Sequence, residues 1–391
     1  MNGIRNRALG TATRLQRVEP FLAMDVLAAA AAKERRGDTV VHMEVGQPSA
    51  PVPRLVREAA ARALEEGRIG YTEALGIAPL RDRIARHYSD SYGLEIAPER
   101  VVVTTGSSAG FVLAFLALFE KGARVAISAP GYPAYRNILA ALDLEPVPVP
   151  LRAADCWRMT AAGIEAAQAQ GDLAGALAMS PANPSGTMIP REGLAEIAAT
   201  CRRHGLWLIS DEIYHGLTYG APAETALSVE PDAVVINSFS KYYCMTGWRI
   251  GWLVVPERLV RPMERLAQNL YISAPYLSQV AALAAFEATE ELEAVKAGYA
   301  RARELLLNEL PRLGITEFHP ADGAFYIYAN IARFTNDSIG FCRRMLEEAG
   351  VAATPGIDFD HENGGHHLRL SFAGGEDVCR EAIARLEPWL R

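Results

Sequence analysis

Apolar and polar positions divide this chain into two differently organised stretches. Between residues 53 and 92 apolar positions recur at helical spacing, with a break at residues 67–71. Val101-Val102-Val103 then runs through Thr104-Thr105-Gly106-Ser107-Ser108 into a strongly apolar helix. Further apolar runs stand at 125–127, 175–179, 206–209, 233–236 and 250–255, most of them separated by helical patterns or crossover-length segments. Strands that alternate with helices predict an α/β unit with a mostly parallel sheet. From Pro256 the pattern is helical to about Leu313, interrupted near Ser273-Ala274-Pro275. A strand at 324–329, a helix at 339–349, a turn at Thr354-Pro355-Gly356, a strand at 368–372 and a final helix follow. The expected organisation is a large domain at 46–275 and a smaller α/β domain made of 1–45 with 276–391.

The predicted strands end in polar clusters: Gly106-Ser107-Ser108, Pro130-Gly131-Tyr132, Asn183-Pro184, Asp211-Glu212 and the stretch from Ser238 to Lys241. Ligands of open α/β sheets sit beyond the carboxyl ends of the strands, so these clusters fall on the binding side. The most informative stretch is Asn237-Ser238-Phe239-Ser240-Lys241. A lysine at a strand end in a serine-rich turn is located where a desolvated amine becomes a nucleophile toward a carbonyl and forms a Schiff base. The competing reading is a solvated surface lysine. Arg249 lies eight residues on, and a second fixed cation near two serines suggests a held anion such as phosphate.

Each remaining candidate has a plain and a functional reading. Asp211 closes an apolar run, where a buried carboxylate is costly unless paired. It reads as a helix cap or structural ion pair, or as the partner of a protonated ring nitrogen, with Tyr214 three residues on. Asn183-Pro184-Ser185-Gly186 has the residues of a simple turn. Ser107 and Ser108 open a helix, either as ordinary caps or as a phosphate cradle. Arg369, in Leu368-Arg369-Leu370-Ser371-Phe372, points to solvent or offers its fork to a carboxylate. Gly46-Gln47-Pro48 and Gly70-Tyr71-Thr72 taken singly read as turns.

Composition narrows the function classes. The 391 residues, half of them hydrophobic, suffice for more than one compact domain. A net charge of −7 without a long basic run leaves a nucleic-acid role without an electrostatic footprint. The five cysteines are scattered and never in C-x-x-C spacing, which argues against a disulfide framework or a zinc site and for a reducing compartment. Arg5, Arg7, Arg14 and Arg17 lack the apolar core of a signal peptide, and the longest strongly apolar stretch, 111–119, is far too short to span a membrane. The expected setting is the cytoplasm. His361, His366 and His367 near Asp358 invite a metal reading, but the spacing is not helical and Gly364-Gly365 makes the segment loop-like. No metal is expected.

Taken together, these pieces resemble the class I/II aminotransferases, pyridoxal-phosphate enzymes of fold type I. The resemblance is carried by Val45-Gly46-Gln47-Pro48, Tyr71-Thr72 with Gly76, Pro130-Gly131-Tyr132-Pro133 and Asn183-Pro184-Ser185-Gly186-Thr187. Asp211-Glu212-Ile213-Tyr214, Ser238-Phe239-Ser240-Lys241 with Gly247-Trp248-Arg249-Ile250-Gly251, and Arg369-Leu370-Ser371-Phe372 complete it. The ordered set covers the chain from about residue 20 to its end and is far more specific than any single piece.

The resemblance implies a site in which Lys241 carries pyridoxal 5′-phosphate as a Schiff base and later acts as general base. It places Asp211 on the pyridinium N–H, Asn183 and Tyr214 on the phenolic oxygen, and Tyr132 over one ring face. Ser107, Ser108, Ser238 and Arg249 hold the phosphate, and Tyr71 reaches that of a neighbouring subunit, which implies a homodimer with shared sites. Arg369 forks the substrate α-carboxylate, with Asn183 and a backbone N–H near Gly46 beside it.

The implied activity is ping-pong transfer of an amino group from an L-amino acid to a 2-oxo acid. A β-eliminating C–S lyase would use the same lysine and electron sink. A pyridoxal-phosphate-binding regulator would need a DNA-binding module, and the residues before Gly46 show no helix-turn-helix with a basic face. The absence of arginine between Arg265 and Arg301 favours a neutral or aromatic donor over aspartate.

Overall fold

The computed structural model describes residues 10–391, so Arg5 and Arg7 lie outside the described residues. In chain order the first elements are α1 (Leu22–Arg35), β1 (Val41–His42), α2 (Arg54–Glu66), α3 (Ala78–Tyr92), β2 (Val101–Thr104), α4 (Ser107–Leu118) and β3 (Arg124–Ala129). Then come α5 (Pro133–Ala141), β4 (Glu145–Pro150), α6 (Ala161–Ala169), β5 (Gly175–Met179), α7 (Arg191–His204), β6 (Trp207–Asp211), β7 (Val234–Ser238) and β8 (Gly251–Val254). The rest of the chain forms α8 (Glu257–Leu270), α9 (Tyr276–Ala285), α10 (Thr289–Glu309), β9 (Tyr326–Asn330), α11 (Ser338–Arg344), β10 (Val351–Ala352), β11 (Thr354–Pro355), β12 (His367–Ser371) and α12 (Glu376–Leu390).

Seven strands form one sheet in the order β2-β8-β7-β6-β5-β3-β4. Only β8 runs against its neighbours; the other pairings are parallel. The six remaining strands therefore present their carboxyl ends along one edge of the sheet. Helices cover both faces, which is why β7 reads as an unbroken apolar run rather than an alternation. Val234 and Ile236 join one core cluster with Phe111 and Leu113 of α4. Val235 joins the opposite cluster with Leu80 of α3 and Ile197 of α7.

Strand β4 does not stand out in the hydrophobic pattern, because Glu-Pro-Val-Pro-Val-Pro places a proline at every second position. Its edge location explains the tolerance: β4 pairs with β3 alone. Glu145 and Leu151 donate their N–H to Ala123 and Ala129, so the odd positions face β3 and the prolines take the even ones. Val147 and Val149 are buried between them. The helical stretch expected over 53–92 is broken for longer than its sequence suggests, and α3 restarts at Ala78 with Pro79 in its first turn.

A second sheet, β11-β12-β9, is antiparallel. Arg369 stands in the middle of β12, opposite Tyr328 of β9 and Thr354 of β11. Strand β1 pairs with β10, and Ser371 donates its N–H to the Met43 carbonyl at 2.7 Å. Segments from the two ends of the chain thus lie side by side, which carries Gly46 to Arg369. No helix among the described residues is long and apolar enough to cross a membrane.

Candidate active site

The carboxyl ends of the parallel strands open on a cavity of about 450 Å³. Its wall carries Lys241, Asp211, Tyr214, Asn183, Tyr132 and Arg369, joined by Ser107, Ser108, Arg249 and Gly46. These residues come from seven separate stretches of chain.

Lys241 follows β7, whose apolar residues fix the turn after Ser238 against the core. Its Nζ donates to the Gly46 carbonyl at 2.6 Å. Burial, with the Arg369 and Arg249 guanidiniums nearby, lowers the ammonium from 10.5 to about 8, against the pull of Asp211. A substantial neutral fraction near physiological pH is what a Schiff-base nucleophile requires.

Asp211 ends β6 and is 2% exposed. Burial raises its carboxyl to about 6, opposed by hydrogen bonds from Tyr135 and the Ile213 N–H and by the charge of Lys241. Tyr135 Oη donates to one carboxylate oxygen, and the Ile213 N–H donates to the other at 3.0 Å. A buried carboxylate anchored in this way on its protein side favours a cation on its cavity side.

An anion cradle forms where α4 begins. Its N-cap is Gly106, no side chain caps the helix, and Ser107 and Ser108 occupy its first turn. The helix N-terminus supplies N–H donors and the positive end of its dipole. Gly106 has φ +80° and ψ 167°, a region open essentially to glycine alone. A Cβ there would lie 2.5 Å from Arg249 Nη2, so the missing side chain lets that guanidinium close over the turn.

Arg369 is 2% exposed. Its Nη1 donates to Asn183 Oδ1 at 2.9 Å, and its Nη2 donates to the Glu44 carbonyl and to Thr354 Oγ1. The Tyr326 and Phe359 rings stack near it, with Cζ 4.4 and 4.8 Å from their centroids. Its Nε–H is buried without a partner. A fixed, desolvated guanidinium with an unsatisfied donor on the cavity wall suits a carboxylate ligand.

Ser238, expected in the site, stands off its wall, while Tyr71, expected to reach a neighbouring subunit, lies outside this chain's own cavity. The Ser238 hydroxyl lies off the wall, 2.8 Å from Ser240 Oγ and 3.1 Å from the Ile250 carbonyl, which it donates to; Ser240 lines the cavity instead. Tyr71 is 84% exposed and lies outside this cavity, beside Arg68 and Tyr276. The histidine segment is dispersed: His361 pairs with Glu19, His367 stacks on Tyr328, and Asp358 accepts the Leu22 and Ala23 N–H groups.

Sequence reading missed Tyr135 and Tyr326. Tyr135 lies in the first turn of α5, three residues after its N-cap Tyr132, and the two ring centroids are 5.3 Å apart. Tyr326 had no local signal. It meets Tyr214 hydroxyl to hydroxyl at 2.6 Å. Phe21 and Met24, at the start of α1, also line the cavity.

A doubly covered parallel sheet, with a half-buried lysine, a buried carboxylate and an anion cradle at its strand ends, defines a fold-type-I transferase. Residues 38–386 match the family model Aminotransferase class I and II, and the chain belongs to that family. It is 50% identical, over 95% of its length and 97% of the relative's, to the valine–pyruvate aminotransferase of Mycobacterium tuberculosis. A crystal structure of an aminotransferase from the same organism superposes with TM-score 0.95 at 49% identity, over 98% of this chain and 99% of that one. Aspartate aminotransferase from Thermus thermophilus, solved with maleate, superposes with TM-score 0.91 at 30% identity, over 97% and 99% of the two chains.

The family is pyridoxal-phosphate-dependent, and this chain is an amino acid:2-oxo acid aminotransferase. The residue types present fit that cofactor. Its aldehyde calls for a neutral amine, its phosphate for fixed cations and N–H donors, and its ring nitrogen for a carboxylate. Lys241, the Arg249–α4 cradle and Asp211 provide these at distinct places on one wall.

Proposed function

We propose that this aminotransferase takes its amino group from an L-amino acid with a neutral, apolar side chain, valine-like in size, and passes it to a small 2-oxo acid such as pyruvate. The observation that carries this reading is the cavity wall. Its only arginines among the described residues are Arg249 and Arg369, while Phe21, Met24, Val45 and Tyr132 supply apolar surface. With one guanidinium on the cofactor phosphate, the other on the α-carboxylate and Lys241 taken up by the cofactor, this chain's wall offers no further cation to a side-chain carboxylate. The valine–pyruvate specificity of the 50%-identical relative supports the same assignment.

In this reading pyridoxal phosphate supplies the electron sink that accepts the charge left at Cα when its proton departs. Lys241 Nζ would tether the cofactor and, as a free amine, would take the proton from Cα. Asp211, steadied by Tyr135, keeps the ring nitrogen protonated. Asn183 and Tyr214 hold the phenolic oxygen, and Tyr132 covers the ring. Arg249, Ser107 and Ser108 hold the phosphate, with Ser238 acting from behind through Ser240. Arg369 orients the substrate by its carboxylate, with Asn183 and the backbone near Gly46 beside it.

The wider assignments belong to the same proposal. Residues 46–275 act as the cofactor domain, and 1–45 with 276–391 act as the smaller domain; the β1–β10 pairing supports that grouping. The active unit is a homodimer in which Tyr71 reaches the phosphate of the other subunit, supported by its exposure beside exposed Ile69. Five free cysteines suit the cytoplasm.

An absorbance screen of the cofactor-loaded enzyme against the common L-amino acids tests the reading. Branched aliphatic donors should change the cofactor spectrum fastest, each yielding its 2-oxo acid. A preference for aspartate or glutamate, or release of ammonia with pyruvate, would overturn it.

Gly106→Ala tests the phosphate cradle. The glycine-only backbone costs an alanine about 1–3 kcal/mol, and its methyl displaces Arg249. Affinity for pyridoxal phosphate should fall roughly tenfold or more, as read by titrating the cofactor-free protein. Unchanged affinity would remove the Gly106–Arg249 contact from phosphate binding.

A further inference from the structure

Tyr326 binds together three groups that the mechanism assigns to separate tasks. Its hydroxyl lies 2.6 Å from that of Tyr214. Its ring lies 4.4 Å from Arg369 Cζ. Its hydroxyl also presses on Gly46, where a Cβ would stand 1.7 Å from Tyr326 Oη, and the Gly46 carbonyl accepts from Lys241. The tyrosine is 1% exposed and is fixed in β9, in register with Ser371 of β12.

Burial raises both Tyr214 and Tyr326 above the ordinary tyrosine value, so each keeps its proton at neutral pH. Between two neutral hydroxyls at 2.6 Å, one donates and the other accepts. A Tyr214 hydroxyl that accepts from Tyr326 keeps its own proton free for the cavity. Without that partner its rotor is unfixed. The ring has a second task. Tyr326 and Phe359 both lie against the Arg369 guanidinium, which limits rotation of its plane.

We propose that Tyr326 is a positioning residue with two separable roles: its hydroxyl donates to Tyr214 and so turns the Tyr214 proton into the cavity toward the cofactor's phenolic oxygen, while its ring holds the Arg369 fork in the plane that receives the substrate carboxylate. This rests on the proposed transaminase site.

Tyr326→Phe and Tyr326→Leu separate the roles. The first readout needs no turnover: it is the pH midpoint of the visible band of bound cofactor. A hydrogen bond donated to the phenolic oxygen stabilises its anion, so losing the donor raises that oxygen's basicity and moves the midpoint upward. Tyr326→Phe should raise it by about half a pH unit or more and leave KM for the amino acid unchanged. Tyr326→Leu should raise both the midpoint and KM. In a Tyr214→Phe background, Tyr326→Phe should move the midpoint no further, because its effect passes through Tyr214.

An unmoved midpoint in Tyr326→Phe, or a further shift in the Tyr214→Phe background, overturns the hydroxyl role. An unchanged KM in Tyr326→Leu overturns the ring role. A wild-type protein without any cofactor band would instead refute the underlying site assignment, so the two failures are distinguishable.

Discussion

Lys241→Ala should abolish the visible band of bound cofactor and lower transamination by at least about 10⁴-fold, because the proposed mechanism makes one side chain both tether and base. No other amine lines the cavity among the described residues, so none can replace it. The Asp211 carboxylate is 2% exposed and engaged by Tyr135 and the Ile213 N–H, a geometry that suits a ring nitrogen and not a carbon acid. Pyridoxal phosphate should still bind through its phosphate and ring contacts, more weakly and without a covalent link. Absorbance before and after borohydride treatment, followed by gel filtration, reads this directly: wild type retains the reduced cofactor and the variant loses it. Substantial turnover by the variant would sink the assignment.

The same residue sets a pH dependence. Its ammonium is lowered from 10.5 to about 8, chiefly by burial and by the charges of Arg369 and Arg249. Capture of pyridoxal phosphate by the cofactor-free protein should therefore accelerate as pH rises through about 8 and then level off. Stability follows the same sign. Between about 8 and 10.5 the unfolded chain holds a proton that the folded chain has lost, so this lysine's contribution to stability grows with pH across that window. Lys241→Met, which carries no charge, should flatten that dependence in thermal melts of the cofactor-free protein.

The gathering of these residues at the strand ends was legible because its determinants are local. Lys241, Asp211 and Ser107 each follow a contiguous apolar run within a few residues, and a parallel sheet covered on both faces brings such ends together. The partners that tune them were not legible. Tyr135 is 76 residues from Asp211, and Tyr326 is 112 residues from Tyr214. No spacing rule links residues so far apart; only the packing of α5 and β9 does. The exchange of Ser238 for Ser240 on the wall is a finer case. Ser238 ends β7 and Ser240 lies in the turn that follows, and the backbone orientation there decides which hydroxyl faces inward. Strand β4 escaped because its alternation is one of valine with proline, a pattern that only an edge position permits.

Arg369→Ala should lower kcat/KM for amino acids by about 10²- to 10³-fold, mainly through KM, with both half-reactions affected because both substrates carry the same carboxylate. The magnitude follows from burial. The guanidinium is 2% exposed, two of its nitrogens are already engaged, and its free Nε–H waits in a desolvated setting. A carboxylate bound there forms charge-assisted bonds that water scarcely weakens. Truncation also strips donors from Asn183 Oδ1 and the Glu44 carbonyl, so some stability is lost as well. A control substrate separates the effects: a simple primary amine without a carboxylate should react about as well with the variant as with wild type, because it never used the fork. The phosphate cradle should hold, since Arg249 and the start of α4 are untouched. Arg369→Lys should recover only part of the loss, because it restores the charge without the planar fork. Unchanged kcat/KM for amino acids in Arg369→Ala, or an equal loss for the simple amine, would remove Arg369 from carboxylate recognition and leave it as a strut between β12 and the Glu44 turn.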